Sequence, residues 1–452
     1  MKKSNIIIVS FILSFFCFNS YYHCQENSSI DSTLKTRIVL KAAKLVTDNY
    51  IFPDIGEQMA EYIKENNESG TYNSYTEINQ FCSKLTDDLR KICKDRHLFV
   101  FKNPEEARLI MAKNKLVPTD EINDIERQDY EKNRRSNFGF RKIEILEGNI
   151  GYLDLRVFAD TEYAGETASK AMNFLSNTDA IIIDLRKNGG GHEEMVQLLC
   201  SYFFTGEKVH LNSNYLRPKD KTEQYWTLPY LPGKRMPDVE LFILTSKRTF
   251  SAAEEFTYDL KNLKRATVIG ETTKGGAHPV DCRIIEGNIL IQMPIGLSIN
   301  PITKTNWEGV GVKPDIEIPE EDALDFAHLK AMQVIIDKTS DENYRKELEW
   351  KKGIVESEIN PIALSEEDLV EYTGKYYDEK YSIYVKEGNL CRVYPDGTEE
   401  ILLPLLKDVF GFTDTEYYRF QIVRDDDKKV IGYKIINMWG TDFPVRLRTG
   451  DL

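Results

Sequence analysis

Ala180-Ile181-Ile182-Ile183-Asp184-Leu185-Arg186-Lys187-Asn188-Gly189-Gly190-Gly191 is the stretch on which the reading of this chain turns. A short unbroken apolar run has no polar face to offer solvent, so it reads as a β-strand covered on both sides. It ends at three consecutive glycines, and a helical pattern starts at Glu193. Upstream, Ala164, Ala168, Ala171 and Leu175 mark a helix, preceded by a hairpin in which Ile143 and Ile145, then Ile150 to Val157, alternate about the turn Glu147-Gly148-Asn149. Downstream come a strand from Val239 to Leu244, a helix from Ala252 to Leu263 and a strand from Ala266 to Ile269. Strands alternating with helices define an α/β core.

On either side of this core the pattern changes. Leu34, Ile38, Ala42 and Leu45, then Ile55, Met59 and Tyr62, recur at helical spacing. A third helix is expected from a capping box at Ser74-Tyr75-Thr76-Glu77, with Ile78, Phe81, Leu85, Leu89 and Ile92 on one face. Leu324 to Asp337 reads as an amphipathic helix, and the charged stretch Asp341 to Lys352 as a solvated connector. Beyond Ser365, alternating segments at Tyr381–Val385, Leu390–Tyr394, Tyr418–Val423 and Val430–Ile436 predict a small all-β domain.

The chain has 452 residues, 41% of them hydrophobic, which suffices for two or three packed domains. Lys2 and Lys3 before the apolar run Ile6 to Phe18 predict a secretory signal over residues 1–24. Two other readings stay open there, an uncleaved anchor and lipidation at Cys24, the latter opposed by the bulky Tyr21, Tyr22 and His23. No later segment approaches the roughly 18 apolar residues of a spanning helix, so no membrane span is expected in the mature chain. A net charge of -14 argues against nucleic acid and anionic lipid as partners. Cys82, Cys93, Cys200, Cys282 and Cys391 form no CxxC pair and no metal-ligand spacing, so neither a metal nor a disulfide framework is expected.

Two junctions carry chemistry. Ser251 stands between the strand ending in Thr245 and the helix from Ala252. A hydroxyl there faces free backbone N–H groups and the positive end of a helix dipole, which suits a nucleophile. Ser251 and Glu254 also spell a capping box, and a purely capping role stays open. At the second junction, the glycines of residues 189–191 allow backbone N–H groups to converge on an oxyanion. The loop lacks the Gly-Lys-Ser/Thr ending of a phosphate-binding loop and the spacing of a dinucleotide site. An activated serine needs a base, and His97, His192 and His278 lie near these segments. Glu308, in Asn306-Trp307-Glu308-Gly309-Val310-Gly311-Val312, has apolar or glycine neighbours that would desolvate it, which suits an acid partner.

DLRKNGGG (residues 184–191), TSKRTFSAAEEF (245–256), GETTKGGAHP (270–279) and NWEGVGVKPDIEIP (306–319), in this order, resemble the tail-specific (C-terminal processing) serine protease family over about residues 138–319. The resemblance implies a crotonase-like ββα core, Ser251 as nucleophile, and an oxyanion hole of N–H groups from Gly189, Gly190 and Ala252. One branch takes its base from a lysine in a G-x-x-T-x-G-K-G segment, and here Gly276 holds that place. The branch similar to interphotoreceptor retinoid-binding protein modules and the tricorn protease core uses an upstream histidine, which His97 in KDRHLFV matches, with Glu308 as the acid. His278 is the reserve base. The tricorn-like pattern has a serine before its histidine where this chain has Arg96, which leaves the relay to the acid open. Lys274 reads as a solvated loop charge.

The expected organisation is thus a signal peptide (1–24), a helical N-terminal subdomain (25–100), a charged connector (101–137), the catalytic core (138–319), a helical linker (320–364) and a lipocalin-like β domain (365–452). The connector falls short of the roughly 50 residues of an ordinary domain, so the PDZ domain of the processing proteases is not expected. The function implied is an exported, periplasmic or extracellular serine endopeptidase that needs no cofactor and acts on peptides or unfolded protein. A non-catalytic module binding an apolar ligand or peptide on the same fold is the alternative, and an esterase is a third.

Overall fold

The structure, a computed structural model, describes residues 29–441 and 443–451, so the expected signal and Cys24 lie outside the described residues. The described residues divide into two compact units, one of those up to Glu144 together with Gly151–Leu324, the other of Ile145–Ile150 and those from Asp325 onward.

The first unit opens with α1 (Ser32–Asn49), α2 (Pro53–Glu68) and α3 (Ile78–Cys93). The Asp31 carboxylate caps α1 by accepting the Leu34 N–H at 2.7 Å, and Pro53 opens α2, where its missing N–H costs nothing. α3 begins four residues after the expected start at Ser74. The Ile30 N–H donates to Thr76 O at 2.9 Å and Ser29 bridges Glu77, so the capping-box residues are held extended and cannot join the helix. At its other end α3 stops on Lys94, whose φ of 57° turns the chain toward Asp95 and His97. Then follow β1 (Phe99–Lys102), α4 (Pro104–Lys113) and α5 (Thr119–Arg135), so the segment expected as a charged connector is mostly helical. Leu109, Ala112 and Ile125 form a small buried cluster in it, and Ala107 is buried beside them, so few apolar residues are needed and the sequence is polar.

The core runs β2 (Phe140–Leu146), β3 (Ile150–Leu155), α6 (Thr161–Leu175), β4 (Ala180–Asp184), α7 (Glu193–Ser201), β5 (His210–Leu216), β6 (Lys221–Trp226), β7 (Glu240–Thr245), α8 (Ala252–Asn262), β8 (Thr267–Gly270), β9 (Val280–Glu286), β10 (Ile289–Pro294), β11 (Gly296–Ile299) and β12 (Ile316–Glu317). Its main sheet has the order β12-β8-β7-β4-β3-β2, with β4 parallel to β7, β7 to β8 and β8 to β12. Every residue of β4 is buried, as its unbroken apolar run demands. Two antiparallel sheets, β1-β10-β9 and β11-β5-β6, complete the unit. The apolar stripes of α1 to α3 pack with Ile291 and Met293 of β10, which brings the α3–β1 turn to the core.

The second unit contains α9 (Ala323–Lys338) from its third residue on, α10 (Glu342–Ile359), α11 (Glu366–Glu371) and a closed eight-stranded barrel. Where a solvated connector was expected, α10 is an 18-residue helix that buries Leu348 and Val355. The barrel strands are β13 (Gly374–Tyr376), β14 (Tyr381–Lys386), β15 (Asn389–Val393), β16 (Glu399–Leu406), β17 (Val409–Phe412), β18 (Tyr418–Arg424), β19 (Val430–Asn437) and β20 (Arg446–Gly450). Among the described residues no helix is long and apolar enough to cross a membrane, and all five cysteines are unpaired thiols.

Candidate active site

The turn after β7 is tied to the loop after β4. Ser246 Oγ donates to Arg186 O at 2.6 Å, Thr249 Oγ1 to Leu185 O at 2.8 Å, and the Phe250 N–H to Asn188 O at 3.1 Å. This turn delivers Ser251 to the first position before α8 with φ 56° and ψ −125°. A non-glycine residue there costs on the order of 1–3 kcal/mol, and such strain persists only where the surroundings enforce it.

The glycine loop presses directly on this serine. Gly190 has φ +113°, and a β-carbon on it would lie 2.8 Å from Ser251 Cβ and 3.1 Å from Ala252 N. Gly191, φ +143°, abuts Phe158 O. The sequence reading counted the Gly190 N–H as an oxyanion donor, but it donates to Asn188 Oδ1 at 2.8 Å, because the fully buried Asn188 folds back over its own loop. Among the described residues the N–H groups of Gly189 and Ala252 have no acceptor, which leaves these two to face a ligand.

His97 is 1% exposed and packs its ring on Phe250, centroids 4.4 Å apart. Neither ring nitrogen has a hydrogen-bond partner among the described residues, so no hydrogen bond joins His97 to Ser251. A carboxylate that the sequence reading passed over lies beside it. Asp95 Oδ1 accepts the His97 N–H at 2.8 Å and stands 3.6 Å from Nδ1, while Asp95 Oδ2 binds His278 Nδ1 at 2.6 Å. Glu308 Oε2 accepts the Ala277 N–H at 2.6 Å and lies 3.6 Å from His278 Nδ1. The fold therefore brings His97, His278 and Glu308 together, with Asp95 between the two imidazoles. Burial opposes ionisation of Asp95, but hydrogen bonds and charge from His278 and His97 outweigh it and hold the carboxyl well below its usual range. Burial likewise pushes His278 down, and the Asp95 contact followed by the Glu308 charge brings it to a net rise. His192, the third candidate, caps α7 away from this cluster's hydrogen bonds, and burial lowers it to about 4.

The carboxylate of the capping box fixes the serine and does more than the sequence showed. Glu254 is fully buried and accepts N–H groups from Ser251 at 2.9 Å, Gly275 at 2.6 Å and Gly276 at 2.8 Å, together with the Thr273 hydroxyl. Burial pushes its carboxyl up to about 7 against the pull of these four donors. The capping box at Ser251 thus also bolts the nucleophile turn to the 273–276 loop. At Gly276, a β-carbon would lie 2.5 Å from His97 Cε1 and 2.2 Å from the Phe250 ring. Lys274 is exposed, its ammonium 4.5 Å above the Phe250 ring, and its carbonyl accepts from Arg96 at 2.7 Å.

The strand–serine–helix junction and the glycine loop against it lie in a segment similar to a peptidase family. Residues 149–318 match Peptidase family S41, and residues 32–131 match the N-terminal domain of Peptidase_S41 in eukaryotic IRBP. The chain is 29% identical over 170 residues to a tail-specific protease of Haemophilus influenzae, covering 34% of this chain and 23% of that one. It is 23% identical over 217 residues to the carboxy-terminal processing protease CtpB of Bacillus subtilis, covering 46% and 42%. It thus spans less than half the length of these curated relatives. A putative peptidase structure from Parabacteroides merdae aligns at TM-score 0.43 and 17% identity, covering 68% of this chain and 97% of that one. The chain is thus similar to peptidase family S41 over its core and to that family's N-terminal domain over its helical region, and an all-β barrel follows.

Proposed function

We propose that this chain is an exported serine endopeptidase whose nucleophile is Ser251 and whose base is His97. The observation that carries the reading is the contact of Gly190 with Ser251 and Ala252, which sets a strained serine beside two unpaired backbone N–H groups. In this reading a His97 ring nitrogen takes the Ser251 hydroxyl proton as Oγ bonds to the substrate carbonyl carbon and the carbonyl π pair moves to oxygen. The N–H groups of Gly189 and Ala252 stabilise that oxyanion. Collapse expels the amine, which takes the proton from the imidazolium, and water then hydrolyses the acyl-enzyme through the same base. Asp95 orients His97 through its N–H and stabilises the imidazolium, while Glu308 acts at the outer side of the cluster. Without substrate, catalytic hydrogen bonds are often long and tighten in the complex, which accommodates the open His97–Ser251 gap.

The finer features belong to the same proposal: a crotonase-like ββα core, a lipocalin-like barrel, a signal over residues 1–24 with periplasmic or extracellular location, and peptides or unfolded protein as substrate. The absence of a His97–Ser251 hydrogen bond favours the second reading, a non-catalytic module for an apolar ligand. A serine-directed phosphonate separates the two. Labelling at Ser251, abolished in Ser251→Ala and slowed in His97→Ala, is the expected result. A folded protein that resists labelling and takes up fatty acid or retinoid overturns the peptidase reading.

A further inference from the structure

The three side chains that the proposed reaction uses as base, orienting acid and outer acid also have the makings of a metal site. Asp95, His97 and Glu308 each bring one ligand-type atom within 4.8 Å of the other two. Acidic groups alone would not make a site, but His97 adds an independent observation: it is 1% exposed and both its ring nitrogens lack a partner. A buried imidazole normally satisfies at least one of them. A cavity of about 520 Å³, walled by Tyr50, Phe52 and Ile92, is lined by the two carboxylates Asp95 and Glu308 and by His278, and an ion entering it meets the carboxylates before His97, which does not line it.

From this geometry we infer that Asp95, His97 and Glu308 form an inhibitory zinc site. One imidazole and two carboxylates suit Zn²⁺, which takes such ligands at about 2.0–2.2 Å, better than Mg²⁺ or Ca²⁺, which prefer all-oxygen shells. Those bond lengths put ligand atoms roughly 3.4 Å apart, so closing on an ion needs side-chain movements on the order of 1 Å. Two carboxylates supply the charge to hold a dication. His278, 2.6 Å from Asp95, supplies the outer hydrogen bond that orients a liganding carboxylate. Lys94 lines the cavity and opposes a cation, but it is exposed and its ammonium is free to stay in water. Bound zinc takes the imidazole lone pair that accepts the Ser251 proton, so the ion turns the proposed peptidase off. The inhibitory consequence rests on the reading above; the binding does not.

The test therefore uses the full chain carrying Ser251→Ala. Calorimetry with Zn²⁺ is expected to show one equivalent bound, and Co²⁺ to give the visible absorption of a tetrahedral nitrogen–oxygen site. His97→Gln is expected to abolish this binding, and Glu308→Gln to weaken it about tenfold or more. If His97→Gln fails to fold, Glu308→Gln, whose side chain is 20% exposed, carries the comparison alone. Absence of stoichiometric binding, or binding that neither substitution alters, overturns the site even if the wild type proves an active peptidase. In an active wild type, Zn²⁺ is expected to inhibit reversibly, with activity restored by EDTA; undiminished activity with the site filled overturns the inhibitory role. Binding in a wild type without peptidase activity keeps the site and sinks only the function.

Discussion

His97 Cε1 lies 2.5 Å from the point where a β-carbon on residue 276 would stand, so the imidazole and any side chain at Gly276 exclude one another. The position that holds a lysine base in one branch of the resembling family is here filled from the side by a histidine from the other end of the domain. Gly276→Ala must push either His97 or the Phe250 ring. It is expected to lower kcat/KM on a peptide substrate by on the order of 100-fold, the effect of displacing a reacting group by about 1 Å. Overpacking should cost about 1–3 kcal/mol in urea unfolding. Undiminished turnover would mean that His97 is not the base.

The backbone strain at Ser251 gives a test that needs no substrate. Glycine tolerates φ 56° and ψ −125°, and alanine does not. Ser251→Gly is therefore expected to be more stable than Ser251→Ala by about 1 kcal/mol or more in chemical denaturation, although alanine ordinarily reduces unfolded-chain entropy in its own favour. Equal stabilities would place Ser251 in an unstrained turn.

Asp95 and His278 predict a pH signature. His278 is raised in the folded state, so its contribution is complete below its unfolded value and fades as pH rises through the folded one. Asp95 is lowered, so its contribution is present above its unfolded value and lost in acid. Asp95→Asn is expected to lower unfolding free energy by about 1.5–3 kcal/mol near pH 6 and by clearly less near pH 9. A deficit independent of pH would show that the carboxylate acts only as a cap for the His97 N–H.

Glu255, one turn past the serine, is buried with Asp259 one turn further and accepts from Asn212 at 3.1 Å. Burial first, then the Asp259 charge, pushes its carboxyl from 4.5 up to about 8. A raised carboxyl keeps its proton in the folded protein, so its stabilisation is complete below pH 4.5 and lost as pH climbs through 8. Wild type should lose stability between about pH 5 and pH 9, and Glu255→Gln should remove on the order of 3 kcal/mol of that loss. Parallel curves for the two proteins would place Glu255 in contact with solvent.

Local pattern made the α/β core legible. The apolar run of β4 and the helical spacing from Ala252 put Ser251 and the glycine loop at strand–helix junctions, because periodicity and chain punctuation act over a few residues. The same locality misled at α10, whose charged surface hides the buried Leu348 and Val355, and at Ser74, whose capping signal yields to pairing with Ser29 and Ile30. Only the tertiary structure could decide the partners. Asp95, beside His97 in the chain, also binds the His278 ring 183 positions away, and Glu254 collects donors from the 273–276 loop. Hydrogen bonding and exclusion of volume depend on where atoms sit in space, and a spacing along the chain carries no record of that.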